Sequence, residues 1–242
     1  MRLLVTRPRE DAGETLAALE RRGHQGLSEP LLHLHRLAVE WPPRAELQAL
    51  VITSRNGLRG YLAEVPDRSL PVYAVGPGSA EEARRAGFAE VHDADGDAHA
   101  LADLIRRSLD PRDGALLHPS GRDVADGLSD PLRANGFDLR RCVVYAADAV
   151  EALSHDCVSA LERGTLDGAL FFSPRTGATF AALIEGAGLQ QACSAMTAYC
   201  LSDAVAQTVV SMPWHAIRTA AAPNQAALLS LLPAQTEAEG RS

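Results

Sequence analysis

Short, unbroken apolar runs recur along the chain, each cut off by a small polar turn and followed by apolar residues at helical spacing. The run from Ala169 to Phe172 has no polar alternation, so as a strand it is buried on both faces, as in a parallel sheet covered by helices. Pro174 cannot donate to a sheet ladder and pushes Ser173 out of helical dihedrals, which marks the strand's carboxyl end. Phe180, Leu183 and Ile184 then fall at helical spacing. The same succession occurs at Leu50-Val51-Ile52-Thr53-Ser54-Arg55-Asn56, with helical spacing through Leu62, and Ser173 lies 119 positions after Ser54.

That pair opens a longer internal repeat. Residues 73–81 answer to 197–205, and residues 95–101 to 222–228. Residues 3–10 answer to 116–123, and Arg22-Gly23-His24 to Asn135-Gly136-Phe137, both at an offset of 113. The chain therefore reads as X, Y, X′, Y′, with each Y made of three strand–turn–helix units.

Between these anchors the pattern predicts a helix over 12–22 stopped at Gly23 and an extended run over 29–36. Trp41-Pro42-Pro43 reads as a hinge or linker edge, and residues 148–151 as a second linker. Gly76-Pro77-Gly78-Ser79 opens a helix over 80–85 that Gly87 ends, and Ser120-Gly121-Arg122-Asp123 lies where a turn opens another. The polar tail 233–242 has no apolar period and reads as disordered. Strands alternating with helices imply open α/β sheets with parallel strands and right-handed crossovers, whose ligands sit at the strands' carboxyl ends.

Composition narrows the class. The 242 residues suffice for two domains, and 46% hydrophobic with 22% charged residues is an ordinary globular balance. The opening Met1-Arg2-Leu3-Leu4-Val5 reaches Thr6-Arg7-Pro8 too soon for a signal peptide's apolar core, and no run of about 18 apolar residues occurs, so the reading is a cytoplasmic protein with no membrane partner. Cys142, Cys157, Cys193 and Cys200 have neither CxxC spacing nor a paired framework, and read as reduced, buried thiols.

The chain contains no lysine, so its 23 basic residues are all arginine. A phosphate-binding Walker loop and a receiver domain each need a lysine, and a pyridoxal phosphate or other Schiff-base enzyme needs an amine side chain, so none of these is expected. A net charge of −8 and 5% aromatic residues argue against nucleic-acid binding, so an anionic ligand must be held by local groups.

Those local groups are the turns. Ser54-Arg55-Asn56, Gly76-Pro77-Gly78-Ser79, Ser120-Gly121-Arg122 and Ser173-Pro174-Arg175-Thr176 present backbone N–H groups, hydroxyls and guanidinium forks at expected helix starts. Taken singly, each is equally an ordinary helix cap; together they can hold a polyanion. There is no GxGxxG after a strand, so no nucleotide fingerprint is present. His33 and His35 share a strand face without a third metal ligand nearby, and Asp93, Asp95 and Asp97 read as a loop, so neither a metal nor another cofactor is expected.

Val5-Thr6-Arg7-Pro8, Ile52-Thr53-Ser54-Arg55-Asn56, Ala74-Val75-Gly76-Pro77-Gly78-Ser79, Val143-Val144-Tyr145 and Phe171-Phe172-Ser173-Pro174-Arg175-Thr176-Gly177, in that order, resemble uroporphyrinogen-III synthases from Leu3 to about Leu232. The resemblance implies two flavodoxin-like domains, 1–35 with 150–242 and 38–146, joined by a two-stranded linker at about 35–38 and 146–150, with the active site in the cleft and hinges at the linker. It implies a monomeric, cofactor-free lyase that takes hydroxymethylbilane, removes water, inverts ring D through a spiro intermediate and closes uroporphyrinogen III. By position, Tyr145 matches the family tyrosine that helps the hydroxyl leave. Ser54, Ser79, Ser120, Gly121, Ser173 and Thr176, with Asn56 and Gly76 in the same turns and Ser202 in the turn after Cys200, would hold the substrate's acetate and propionate groups. Arg7, Arg55, Arg122 and Arg175 would be their charge partners. One departure stands out: Cys200-Leu201-Ser202-Asp203 replaces a Gly-Pro-Thr-Thr-like turn, and Asp203 reads as a cap of the next helix. The competing class is a two-domain module that binds a tetrapyrrole or another small molecule without turning it over.

Overall fold

The structure is a computed structural model and describes residues 1–123 and 127–233. In chain order the first elements are β1 (Arg2–Val5), α1 (Arg9–Glu20), β2 (Gln25–Ser28) and β3 (Leu32–Arg36). Then come β4 (Leu47–Ile52), α2 (Arg55–Glu64), β5 (Val72–Ala74), α3 (Pro77–Arg85), β6 (Val91–Asp93) and α4 (Ala98–Ser108). They are followed by β7 (Ala115–Gly121), α5 (Ser129–Ala134), β8 (Leu139–Ala149) and α6 (His155–Glu162). The last stretch holds β9 (Gly168–Phe171), α7 (Pro174–Gly186), β10 (Thr197–Cys200), α8 (Asp203–Val209), β11 (Ala216–Thr219) and α9 (Gln225–Leu229). The chain divides into two compact units, Met1–His33 with the chain from Asp148 onward, and Leu34–Ala147.

The first unit is built on a parallel sheet ordered β11-β10-β9-β1-β2. Its three central strands, β1, β9 and β10, are apolar on both faces because both are covered. Leu4, Ala169, Phe171, Ala198 and Cys200 point into one core with Leu161 of α6, Phe180 and Ile184 of α7, and Val205 and Val209 of α8. Leu3, Val5, Leu170 and Tyr199 point into the other with Ala12 and Leu19 of α1 and Leu228 and Leu229 of α9. A fully buried Thr6 lashes two strands where they leave the sheet, its hydroxyl donating to Leu170 O at 2.7 Å.

The second unit repeats the plan in a sheet ordered β3-β8-β7-β4-β5-β6. One core holds Leu50, Ile52, Val72, Leu117, Cys142 and Val144 against Leu58 and Tyr61 of α2 and Ala83 of α3. The opposite core holds Ala49, Val51, Tyr73, Leu116 and Leu139 against Leu101 and Ile105 of α4 and Leu132 of α5.

Strand register tests the internal repeat residue by residue. Leu4 lies opposite Ala169 in one sheet and Leu117 opposite Leu50 in the other, so 117 − 4 gives the offset of 113 and 169 − 50 the offset of 119. Gly23 and Gly136, also 113 apart, both sit at positive φ, 72° and 82°, in the turns after α1 and α5, where a side chain would be strained. The third segment departs from its sequence alignment. Ile52 pairs with Ala74 and Phe171 with Cys200, so Ala74 answers to Cys200 at an offset of 126, not to Ala198 at 124. The slip follows from a longer α7 and a short 3₁₀ turn over Gln190–Ala195 before β10, which add length that matching Ala74 to Ala198 by letter had hidden. Gly76-Pro77 therefore answers to Ser202-Asp203, while Asp97 answers to Asn224 at an offset of 127, as in the sequence alignment, each of these pairs standing at or beside a helix start.

Candidate functional site

In the second unit the carboxyl ends of β4, β5 and β7 bring Ser54, Gly76 and Gly121 to one side of the sheet, where the middle of β8 places Tyr145 opposite Gly121. Ser54 caps α2, its Oγ accepting from Gly57 N at 3.0 Å. The preceding Thr53 is anchored by a 2.9 Å hydrogen bond between its Oγ1 and Nε2 of the buried His118. Arg55 and Asn56 are drawn into a charged group on α2 and α3. Glu82 accepts from Arg59 Nε at 2.6 Å and lies 3.9 Å from Arg55 Nε, while Arg59 Nη1 donates to Asn56 Oδ1 at 3.1 Å. Gly76 caps α3 through its backbone, and ideal Cβ atoms at Gly76 and Gly78 would meet nothing within 4 Å. That helix end is open to a ligand, with Ser79 buried just behind it.

Tyr145 differs from the chain's other three tyrosines. Tyr61, Tyr73 and Tyr199 are 2–3% exposed, whereas Tyr145 is half-buried on β8, opposite the carboxyl end of β7. Its hydroxyl lies 3.5 Å from Ser54 Oγ. The ring lies over Gly121, where a Cβ would fall 2.6 Å from Tyr145 Cζ and 2.8 Å from its hydroxyl oxygen. Arg122 N donates to Tyr145 O at 2.9 Å.

In the first unit the corresponding edge carries Arg7, Ser173, Arg175, Thr176 and Ser202. Ser173 and Thr176 form a capping box at the start of α7: Thr176 N donates to Ser173 Oγ at 3.2 Å and Ser173 N to Thr176 Oγ1 at 3.3 Å. Arg175 follows the cap, half-buried. Ser202 caps α8, accepting from Val205 N at 3.4 Å. Arg7 is committed within its own unit. It donates to Gln225 Oε1 at 2.7 Å, faces Asp11 at 3.5 Å and stacks 4.3 Å over the Phe172 ring.

The structure corrects three further expectations from sequence. Ser120 and Gly121 do not open a helix: they are the last residues of β7, α5 begins only at Ser129, and Ser120 is 1% exposed with its Oγ accepting from Arg141 Nε at 2.8 Å. The strand runs on because β8 is long enough to pair with it as far as Tyr145. Asp203 is not the cap of α8, since Ser202 takes that place and Asp203 is the exposed first residue of the helix. The helix expected over 80–85 starts at Pro77, whose fixed φ suits a first turn.

Residues missed by the sequence reading are Thr53, His118, Arg59, Glu82 and Arg141, because each acts through a partner distant in the chain. His33 and His35 are exposed, and among the described residues no three His, Cys, Asp or Glu side chains converge on a metal position. Asp97 caps α4, its Oδ1 accepting from His99 N and Ala100 N at 2.9 and 3.0 Å. All four cysteines are free and buried. The tail expected to be disordered lies outside the described residues beyond Pro233. Among the described residues no helix is long and apolar enough to cross a membrane.

Compared with known proteins, residues 13–230 match the family model described as uroporphyrinogen-III synthase HemD. Among solved structures, the fold is similar to that of uroporphyrinogen-III synthetase from Helicobacter pylori, with a TM-score of 0.63 and 17% identity over 96% of this chain and 98% of that one. It is also similar to a mutant uroporphyrinogen III synthase from the extremely thermophilic bacterium Thermus thermophilus, with a TM-score of 0.51 and 16% identity over 96% and 97% of the two chains. At these identities the structural likeness is one of fold. No curated protein matches the sequence.

Proposed function

The chain belongs to the uroporphyrinogen-III synthase family, and from that premise we propose how its residues carry the family's reaction. The protein is a lyase that cyclises hydroxymethylbilane to uroporphyrinogen III, with loss of water and inversion of ring D. The linear substrate can close without inverting ring D, so the enzyme gains most by holding the chain curled with the reacting carbons aligned.

The substrate's carboxylates meet the strand-end turns. We assign them to the helix starts at Ser54, Gly76, Ser173 with Thr176, and Ser202, where backbone N–H groups converge and each helix end contributes about 0.3–1 kcal/mol toward an anion. Arg122 and Arg175 supply positive charge beside these turns. Arg7, Arg55, Asn56, Ser79, Ser120 and Gly121 act from behind, through the contacts that fix the turns. On a chain of net charge −8 these local donors are what hold a polyanion.

Tyr145 is the proposed proton donor to the departing hydroxyl. The observation that supports it is a half-buried phenol beside Ser54 Oγ at the start of α2, in a chain whose other tyrosines are buried. As the C–O bond breaks, the phenol's proton moves toward the leaving oxygen, which departs as water, and the substrate's pyrrole electrons take up the positive charge left on carbon. Such assistance accounts for roughly 10² to 10⁴ in rate.

The test supplies hydroxymethylbilane generated in situ and separates the oxidised products by isomer. Predominantly type III product, diminished but not abolished by Tyr145→Phe, is expected. Type I product alone, as in a protein-free control, overturns the assignment of activity to this chain and leaves a binding module. We further propose that the enzyme works as a monomer in the cytoplasm; a dimer mass in sedimentation equilibrium counts against the first half.

A further inference from the structure

We infer that Arg141 is a positioning residue for Tyr145, the inference resting on the role just proposed for that tyrosine. Both lie on β8, four residues apart, and neither the repeat nor any turn motif singles out Arg141.

The argument begins with register. β7 and β8 pair in parallel without interruption from Leu116↔Leu139 to Ser120↔Val143, and the next pair is Gly121↔Tyr145. One residue of β8, Val144, is therefore extra, a bulge in the middle of β8 opposite the carboxyl end of β7. Strand side chains alternate between faces, and a bulge re-aims the side chains beyond it. Cys142 and Val144 face the core shared with α2. Without the extra residue Tyr145 would face the opposite core; with it, the ring packs against the same side as Val144 and its hydroxyl reaches Ser54 at the start of α2.

Only the last pair of the β7–β8 ladder lies beyond the bulge, so a slip of one residue there would cost little pairing and would turn Tyr145 to the other face. Arg141 opposes that slip. Its Nε donates to Ser120 Oγ at 2.8 Å, and its Nη2 donates to Gly121 O at 2.6 Å and Arg122 O at 2.9 Å. One planar guanidinium thus holds three consecutive residues of the chain at the point where the register shifts, and a lysine ammonium lacks the fork to span them. Gly121, fixed in this way, is the floor under the Tyr145 ring, at a distance that admits no side chain. Arg122 N closes the arrangement on Tyr145 O at 2.9 Å.

Arg141 therefore acts on the reaction only by fixing the ring, and that is testable by a double-mutant cycle. Arg141→Ala lowers kcat for type III product by roughly tenfold to a hundredfold with KM changed less than about twofold. In a Tyr145→Phe background the same substitution costs under about twofold, since the group it positions is gone. Arg141→Lys does not restore the rate. In tyrosine labelled at ¹³Cζ, the resonance absent from Tyr145→Phe identifies Tyr145, and it shifts or broadens in Arg141→Ala while the other three hold.

Full additivity of the two substitutions, or an unmoved Tyr145 resonance, overturns the inference. A Tyr145→Phe protein with unaltered type III formation overturns the role of Tyr145, and with it this one, and is recognised from the single variant before the cycle is read. If Arg141→Ala does not fold, Ser120→Ala, which removes one acceptor of the clamp, takes its place with the same readouts.

Discussion

Two glycines set how near helices approach their neighbours, and they differ in what an added methyl would meet. A Cβ on Gly57 would lie 2.3 Å from the carbonyl oxygen of Pro119, a backbone atom of β7 held in a sheet. A Cβ on Gly177 would lie 2.1 Å from Thr208 Oγ1, the end of a side chain that can rotate at the loss of its hydrogen bond to Val205 O. The shorter contact is thus the milder one. Gly57→Ala should destabilise the protein by about 1–3 kcal/mol and Gly177→Ala by under about 1 kcal/mol. At about 2–4 °C per kcal/mol the two are separable in thermal melts, and equal or reversed losses would show that the β7 backbone yields as readily as a side chain.

At the scale of elements, the strands and caps were legible because they rest on local rules. Ala169 to Phe172 announced a buried strand by its lack of alternation, and Ser54 and Ser173 announced helix starts by standing between an apolar run and helical spacing. What failed depended on partners elsewhere in the chain. Ser120-Gly121-Arg122 has the composition of a turn, yet pairing with the eleven-residue β8 keeps Ser120 and Gly121 in a strand. The 126-residue spacing of Ala74 and Cys200 was obscured because insertion in a connection costs little and leaves no periodic mark. Of the proposed site, the cap serines could be read from sequence as helix starts, and Tyr145 was singled out only through family resemblance. The bulge before Tyr145 and the Arg141 guanidinium bonded to residues 120–122 could not, since a register shift is a relation between two strands and belongs to neither alone.

For the whole molecule, the four cysteines supply a probe in each unit. Cys157, Cys193 and Cys200 share one core of the first unit, and Cys142 lies in a core of the second. Burial pushes Cys157 and Cys200 up to about 12 and Cys193 up to about 11, and raises Cys142 as well. Thiolate is the reactive form, so these groups should react with a disulfide reagent at pH 8 only as fast as the protein opens, and fully after denaturation. The same shifts fix a pH dependence. Below the unfolded value of about 9 both states keep their protons and these thiols leave stability unchanged with pH. Above it the unfolded chain releases protons that the folded chain retains, so stability falls as pH rises toward the folded values. Buried Tyr61, Tyr73 and Tyr199, raised from 10.0, act in the same direction but only at higher pH. The window from about 9 to 10 therefore belongs to the thiols. Replacing Cys157, Cys193 and Cys200 with alanine should flatten the fall of melting temperature within that window and leave the fall above it; an unchanged slope across the window would mean that those three thiols ionise as readily in the folded chain as in the unfolded one.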